Sequence, residues 1–403
     1  MELVSYMLIA TLLLLFWAYL GYPILLAFLT KIRKGRELNS ALLCNNQYEP
    51  HVSIIIPTYN EEKVIWSKMK NCLELDYPKD KLEIIVVDSA STDRTREIIE
   101  KFRSESVKLI VQSERRGKAV AINEALKHAN GEIILLTDAN AYLDKRTLKH
   151  IVKHFQRPIV GGVEGKYVVS RNHAKPTNVI AYEESLFRTM ENWIRERESM
   201  IDSVVGMVGE LFAFRNGVIN KFDENAIAED FDASITIRKK GYVLIHEPNA
   251  VVLEPSASSL SDEIKQKMRR AVGTIQALFK HYYVLLNPKY GLYGVLILPS
   301  HKLLQVISPF LLILLMTLSI ADYMITGNIL LFTPALVEVL CAILGVAVLL
   351  GVKFNRGVKN PIVAGIGYFL LMQLIVLLAW WEYLTGSYSV KWEKIESSRG
   401  SPS

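Results

Sequence analysis

The sequence predicts an α/β fold with a mainly parallel sheet, flanked by transmembrane α-helices. Three observations carry this expectation. Short β-branched runs alternate with helix-patterned segments between residue 51 and about 280. Each early run ends in a cluster of polar residues. Long uncharged apolar segments lie on both sides of this region.

The first apolar segment covers residues 3–29 and carries no charge. A bilayer core needs about 20 apolar residues, so it is long enough to span. No Lys or Arg precedes it, and Lys31, Arg33, Lys34 and Arg36 follow it. That is the pattern of a retained anchor, not of a cleaved secretory signal. The four cations place the next residues in the cytoplasm and the N-terminus outside. Further apolar runs lie at 303–321, 329–351 and 361–385. The first gap holds Asp322 and no Lys or Arg; the second holds Lys353, Arg356 and Lys359. This alternation reads as outside, then inside. Residues 290–300 are apolar but short, which suits an interfacial helix. Four helices put the C-terminus outside, and the cations Lys391, Lys394 and Arg399 in the tail pull against that.

The expected organisation is therefore an N-terminal span over 1–30, a linker over 31–50 and a soluble domain over 51–280. An interfacial segment over 281–302, about three spans over 303–386 and a polar tail over 387–403 follow. The protein is expected in the cell membrane with its soluble domain in the cytoplasm. Its net charge of +6 comes without a basic run interleaved with aromatics. This fits an anionic lipid surface and not a nucleic acid. Cys44, Cys72 and Cys341 show neither C-x-x-C nor metal spacing, which points to reduced thiols.

Within the soluble part, Val52–Pro57 (VSIIIP) is a β-branched run, as for a buried parallel strand. A helix is expected over 60–72, a strand over 82–88 and a helix over 93–103. A strand over 107–111, a helix over 117–129 and a strand over 133–137 complete the series. Right-handed crossovers bring the C-terminal strand ends to one edge, where open α/β sheets bind ligands.

The strand-end loops read Pro57-Thr58-Tyr59-Asn60-Glu61-Glu62, Asp88-Ser89-Ala90-Ser91-Thr92-Asp93, Arg115-Arg116-Gly117-Lys118 and Asp138-Ala139-Asn140. Carboxylates for a base or ribose, a Lys for phosphate and oxygen ligands for a hard cation suit a nucleoside diphosphate. Asp93 reads more readily as a helix cap than as a ligand. Asp88, at a strand tip, reads as a ligand. Arg115 and Arg116 fit a solvated loop. No G-x-G-x-x-G follows the first strand, so dinucleotide binding has no support. Gly161-Gly162-Val163-Glu164-Gly165-Lys166 lacks phosphate-loop spacing and reads as strand and turn.

The segments PTYNE (57–61), VVDSASTD (86–93), RRGKAVAIN (115–123) and TDAN (137–140) resemble, in order and spacing, the inverting family 2 glycosyltransferases. Ala228-Glu229-Asp230 resembles the acceptor motif of that family. Gln266-Lys267-Met268-Arg269-Arg270 resembles the Q-x-x-R-W of the membrane synthases of cellulose, hyaluronan and poly-N-acetylglucosamine. The resemblance spans about 52–300 and extends to the flanking helices.

It implies a GT-A fold. It implies donor contacts from Thr58, Tyr59, Glu61, Asp88, Lys118, Asp138 and Arg269. Asp138 and Asn140 would hold a divalent cation, Mn or Mg. Asp230 would be the catalytic base. Glu229, Glu210, Gln266 and Arg270 would lie on the acceptor side. Two positions depart from the pattern. Asn140 replaces a carboxylate, and an amide oxygen binds a hard cation more weakly. Arg270 stands where the synthases carry the Trp that lines the acceptor site, which weighs against processive polymerisation.

Glycosyl transfer builds negative charge on a leaving diphosphate, so a cation, Lys118 and Arg269 are apt there. An acceptor hydroxyl has a high pKa and needs a base in hydrogen-bond reach. On the residues alone Asp230 also fits an N-cap before the run at 233–240; the resemblance favours the base. Gln266, Arg269 and Gly273 share one helix face. Arg195 to Glu198 alternate in sign, as on a solvated face. Trp193 and Phe187 fit the core or the membrane boundary, and His150 and His154 fit the surface.

The expected activity is transfer of a sugar from a nucleotide donor, a UDP-sugar by the resemblance, to a lipid-linked or growing glycan acceptor. A processive synthase that exports its product is the alternative, and it would need a partner subunit or an oligomer. Transfer to a polyprenyl phosphate would need no base. An inactive nucleotide-sugar-binding scaffold is the non-enzyme reading.

Overall fold

The structure is a computed structural model and describes residues 2–37, 48–170, 179–255, 260–353 and 360–390. Cys44, the cations at 356 and 359 and the charged tail from 391 lie outside the described residues. In chain order the helices and strands are α1 (Glu2–Phe16), α2 (Tyr22–Glu37), β1 (Val52–Thr58), α3 (Ile65–Leu73), β2 (Leu82–Asp88), α4 (Thr95–Glu100) and β3 (Val107–Val111). Next come α5 (Lys118–Leu126), β4 (Ile133–Thr137), β5 (Tyr142–Leu143), α6 (Thr147–Val152), β6 (Val160–Ser170), α7 (Val179–Ile201) and β7 (Leu211–Arg215). The chain continues through α8 (Glu229–Lys239), β8 (Val243–Pro255), α9 (Leu260–Lys280), α10 (Leu304–Thr326), α11 (Ile329–Lys353) and α12 (Pro361–Thr385).

The strands form one 8-stranded sheet in the order β3-β2-β1-β4-β7-β6-β8-β5. The pairs β3–β2, β2–β1, β1–β4 and β6–β8 are parallel. The pairs β4–β7, β7–β6 and β8–β5 are antiparallel. Successive strand residues point to opposite faces. Ile54, Ile56, Ile84, Val86 and Leu135 accordingly enter the core packed with Val64, Ile65 and Met69 at the start of α3. Ile55, Ile85, Val87, Ile134 and Leu136 enter the opposite core, against Ala121 and Ile122 of α5. Each buried Ile or Val contributes about 1.5–3 kcal/mol. Runs with apolar residues on both faces are thus explained by two cores, not one. Register then fixes the functional edge: Thr58 pairs with Asp88, and Ile55 with Leu136.

The helix expected over 60–72 begins only at Ile65. Asn60 adopts φ 54, a left-handed conformation that a helix does not continue through. Its side chain accepts a hydrogen bond from Thr92 N, and its N–H donates to Ser91 Oγ. The loop is committed to the neighbouring strand end instead. The Gly161–Lys166 stretch lies inside β6, with register irregularities at each end of it. His154 is no free surface group. It meets Glu247 at 2.6 Å, beside Lys153 at 2.7 Å.

Among the described residues, four helices are long and apolar enough to cross a membrane: Glu2–Ile32, Tyr293–Thr326, Ile329–Val348 and Ile362–Thr385. The first includes a π-helical turn at Trp17–Gly21 between α1 and α2. The second runs through π-helical turns at Tyr293–Ile297 and Pro299–Leu303 directly into α10. Residues 293–302 of the expected interfacial segment are therefore one piece with this helix, while 281–292 form short turns before it. Polar pairs tie the helices together. Ser5 donates to Asp322, Trp17 to Ser300, Ser308 to Gln373 and Gln373 to Tyr19. Hydrogen bonds of this kind join helices where lipid supplies no hydrophobic drive.

The alternating charges on α7 prove to be half interior. Glu191, Arg195 and Glu198 follow an i, i+4, i+7 spacing that puts them on one buried face. Arg195 holds Glu164 at 2.9 Å, Glu191 at 3.4 Å and the Gly206 carbonyl at 2.6 Å. Glu198 accepts from Tyr22 and from Val205 N, and His301 bridges Glu198 and Glu191. Glu196 stays half-exposed, and Arg197 stacks on Trp193 at 3.6 Å. The face is buried because α7 runs between the sheet and the apolar helices, where the sequence alone offers no partner.

Removing a single partner leaves a buried charge uncompensated. Arg195→Met is expected to destabilise the protein by about 3–5 kcal/mol. Thermal unfolding in detergent should show the loss, and Glu164→Gln in the same chain should recover part of it.

Candidate active site

The C-terminal ends of β1, β2 and β4 and the start of α5 border an open cleft. Pro57, Thr58, Tyr59, Glu61, Ser89, Arg115, Gly117, Lys118, Asp138 and Ala139 line it. Five of the predicted donor residues thus meet in one cleft. Thr58 anchors the floor, with Oγ1 donating to the Val87 carbonyl at 3.0 Å. Asp88 lies at the tip of β2, 1% exposed. Its Oδ2 accepts from Ser91 N at 3.3 Å, while its Oδ1 is buried without a hydrogen-bond partner among the described residues. A buried carboxylate oxygen left unmatched is costly unless a ligand completes it. Asp93 accepts from Thr95 N and from Glu62 N, so it braces the loops.

Arg115 departs from its expected solvated place. Its guanidinium lies over the Tyr59 ring at 4.0 Å and lines the cleft, with Nη2 buried and unpartnered. Its position just before Gly117-Lys118 was the sequence signal. Arg116 does stay exposed, near Glu114 and Glu224.

Lys118 is the hub. Its ammonium reaches Asp138 Oδ1 at 2.8 Å and Glu229 Oε1 at 2.9 Å. Burial works against that charge, but Asp138 and Glu229 outweigh it and hold the pKa above the usual lysine range. Burial likewise opposes ionised Glu229, yet Lys118 and Arg269 keep its carboxyl below the usual range. Asp230 behaves differently. Burial and then the charge of Glu229 push it up to about 6, against the pull of Lys118. Gly209 lies against both groups. A β-carbon there would sit 3.2 Å from Asp230 Oδ2 and 3.3 Å from Lys118 Nζ.

The capping reading of these acids fails on geometry. The N-cap of α8 is Ala228, with no side-chain cap bond, and among the described residues Asp230 accepts from its neighbour Phe231 N. The motif is instead set by α9. Gly273 packs so tightly on it that a β-carbon would meet Ala228 N at 2.7 Å. Gln276 accepts from Ile227 N at 3.0 Å, and Arg269 donates to the Ile227 carbonyl at 3.3 Å. Arg269 therefore stands behind the Glu229-Asp230 pair and outside the cleft lining; its Nε is buried without a hydrogen-bond partner among the described residues. Gln266 is half-buried one turn earlier on α9, and no hydrogen bond described in the site runs through it.

A second group of residues extends the site from Asp138. Arg270 pairs with Glu210 at 2.6 Å. Asn140 donates its amide to Glu254 Oε1 at 2.7 Å. Burial and then Glu210 push Glu254 up to about 7. For Glu210, burial is outweighed by Arg270 and Arg188, which hold it below the usual range. Arg188 stacks on Tyr167 at 4.4 Å. Glu254, Arg188 and Tyr167 were not legible as site residues, because they come from the far half of the sheet and from α7.

No three His, Cys, Asp or Glu side chains converge on a metal position among the described residues. Asp138 and Asn140 are two oxygen donors one residue apart. The amide nitrogen of Asn140 is committed to Glu254, which leaves its oxygen as the available ligand. Two protein oxygens fit a hard cation that takes its other ligands from substrate phosphate and water.

The fold and the cleft define a glycosyltransferase of the GT-A class. The chain belongs to glycosyl transferase family 2: the model of that family, described as Glycosyl transferase family 2, matches residues 53–221. It is 30% identical over 247 residues to a dolichyl N-acetyl-alpha-D-glucosaminyl phosphate 3-beta-D-2,3-diacetamido-2,3-dideoxy-beta-D-glucuronosyltransferase of Methanococcus voltae, covering 58% of this chain and 76% of that relative. It is 25% identical over 300 residues to the poly-beta-1,6-N-acetyl-D-glucosamine synthase of Staphylococcus epidermidis, covering 72% of each. Among solved structures, a mannosyltransferase of Pyrobaculum calidifontis in complex with GDP-Man and Mn2+ superposes with a TM-score of 0.68 at 26% identity. That match covers 95% of this chain and 100% of the other.

The raised Asp230 pKa has a stability consequence. Its folded value of about 6 exceeds the ordinary 3.8, so the fold favours the protonated form. Stability is lost as pH rises from 3.8 through about 6. Asp230→Asn is expected to raise the unfolding temperature at pH 7.5 and to leave it near wild type at pH 4.5. Thermal unfolding at the two pH values checks this.

Proposed function

We propose that the chain is a membrane-anchored inverting transferase that moves a sugar from a nucleoside-diphosphate sugar to a hydroxyl of a lipid-linked or growing glycan acceptor. One observation carries the reading: Lys118 bridges Asp138 and Glu229 beside an Asp230 carboxyl pushed up to about 6. A cation where diphosphate charge develops, next to a base near neutral, is what hydroxyl attack on a sugar requires.

Thr58, Tyr59, Glu61, Asp88 and Arg115 bind the nucleoside end, where Asp88 Oδ1 and Arg115 Nη2 await partners. Lys118 stabilises the leaving diphosphate, while Arg269, behind the acid pair, keeps Glu229 ionised. Asp138 and Asn140 would hold Mn2+ or Mg2+, which when bound neutralises diphosphate charge as a Lewis acid. Asp230 takes the acceptor proton as the hydroxyl oxygen bonds to the anomeric carbon. The bond to the phosphate oxygen breaks, and the single displacement inverts that centre. Glu229 holds Lys118, while Glu210, Gln266 and Arg270 face the acceptor side.

The four apolar helices and the cations after the first one support an anchor in the cell membrane with the transferase domain cytoplasmic. The curated relatives named above favour an acceptor carried on a lipid phosphate or on a glycan. The Pyrobaculum likeness adds GDP-sugars to the UDP-sugars as donors to test. Processive synthesis has the staphylococcal likeness behind it, but Arg270 at the Trp position, paired with Glu210, weighs towards single transfer.

The test is nucleoside diphosphate release in detergent with native lipids, across UDP-, GDP- and dTDP-sugars. Release is expected from one donor, lost on chelation and restored by Mn2+ or Mg2+. Asp230→Asn is expected to lower kcat by about 10²–10⁴ with donor KM little changed. An ionised base is required, so kcat/KM should rise with pH, with its acidic limb near 6. Full activity in Asp230→Asn would point to an already ionised phosphate acceptor, and release from no donor would sink the transferase reading.

A further inference from the structure

Behind the cleft, α3 buries Ile65, Lys68, Met69 and Cys72. Lys68 is the lone charged group on that apolar face, and it is 0% exposed. Its ammonium donates to Thr137 Oγ1 at 2.8 Å and to the Ala141 carbonyl oxygen. These acceptors are the two ends of the Asp138-Ala139-Asn140 loop. Within the loop, Ala141 N closes a turn on the Asp138 carbonyl at 3.2 Å. Thr137 Oγ1 passes the connection on, donating to the Glu210 carbonyl at 3.0 Å. One ammonium therefore clasps the loop from beneath and reaches the acceptor-side segment through a single hydroxyl.

An ammonium held in the interior by neutral groups is expensive. Burial draws its pKa down, and Asp138 is the carboxylate that counters this from the site. A Met would fill the same space on α3 without that cost. What Lys68 supplies and Met does not is a pair of directed bonds that fix the distance between Thr137 and Ala141. Asn140 is fixed separately by Glu254 at 2.7 Å. The loop is thus tethered at three points, Thr137, Asn140 and Ala141.

We propose that Lys68 is a positioning residue that sets the geometry of the Asp138-Asn140 loop, so that the cation affinity of the site depends on a group touching neither cation nor substrate. This rests on the reading that Asp138 and Asn140 hold the cation. Partners one shell removed from a metal are typically worth about 10–100-fold in affinity.

The test uses the full-length protein in detergent. Mn2+ is titrated by electron paramagnetic resonance, alone and with UDP or GDP, for wild type, Lys68→Met, Thr137→Val and Asp138→Ala. Unfolding temperature and metal-free nucleotide binding are measured alongside. Lys68→Met is expected to weaken Mn2+ binding by about 10–100-fold while metal-free nucleotide binding holds. Thr137→Val is expected to move in the same direction by a smaller factor. Wild-type Mn2+ affinity in a folded Lys68→Met overturns the proposal. If that variant does not fold, wild-type affinity in Thr137→Val overturns it instead. Unchanged Mn2+ binding in Asp138→Ala overturns the underlying cation site, an outcome distinct from any result at Lys68.

Discussion

The site depends on how one ammonium is shared. Lys118 lies between Asp138 and Glu229, and it also draws on Asp230. Buried carboxylates are tolerated only with close compensation. Glu229 receives it from Lys118 and Arg269 and stays ionised. Asp230 receives less, so its carboxyl lies near 6. Two adjacent acids thus differ in character through their neighbours alone. The arrangement needs the sheet: α5 delivers Lys118, β4 delivers Asp138 and α8 delivers the acid pair. Parallel pairing of β1, β2 and β4 brings the first two to one edge, while α9 presses the third into place through Gly273.

The apolar helices are not independent of this site. Arg195 on α7 holds the Gly206 carbonyl, and Glu198 holds Val205 N. Tyr293, at the start of the second long apolar helix, donates to the Val205 carbonyl at 2.9 Å. Tyr22 of the first apolar helix and His301 of the second both bond Glu198. The segment from 205 to 210, which carries Gly209 and Glu210, is thereby fastened to both. A change in how these helices pack would reach Gly209, where even a β-carbon would crowd Asp230 and Lys118.

Much of this was legible in the sequence. Strands over 82–88, 107–111 and 133–137 lie where the mainly apolar runs put them; Ile133–Thr137, buried at every position, is the clearest case. Loop residues were legible by type and order. The antiparallel half was not. β6, β7 and β8 alternate less cleanly, and Gly161, Gly162 and Gly165 in β6 are there for close packing against Tyr242, Leu244 and Leu211. Glu254 reaches the site only because β8 pairs with β6 and not with its neighbours in sequence. Arg195 looked solvated because its partners, Glu164 and the Gly206 carbonyl, come from other elements. Local pattern cannot reveal a partner supplied by the tertiary fold.

Arg270 shows how one substitution reorganises such a cluster. It is half-exposed, yet it grips Glu210, which is almost fully buried. Without a cation there, Glu210 would share its burial with Glu254 and both would resist ionisation. With Arg270 and Arg188 present, Glu210 stays ionised and its charge falls on Glu254, which rises to about 7. Glu254 then accepts the amide of Asn140. The residue at the Trp position of the synthases therefore acts, through Glu210 and Glu254, on the loop that carries Asp138. An apolar ring in its place would leave that chain of charges without its outer cation, so Arg270, Glu210, Glu254 and the Asp138-Asn140 loop belong to one electrostatic unit.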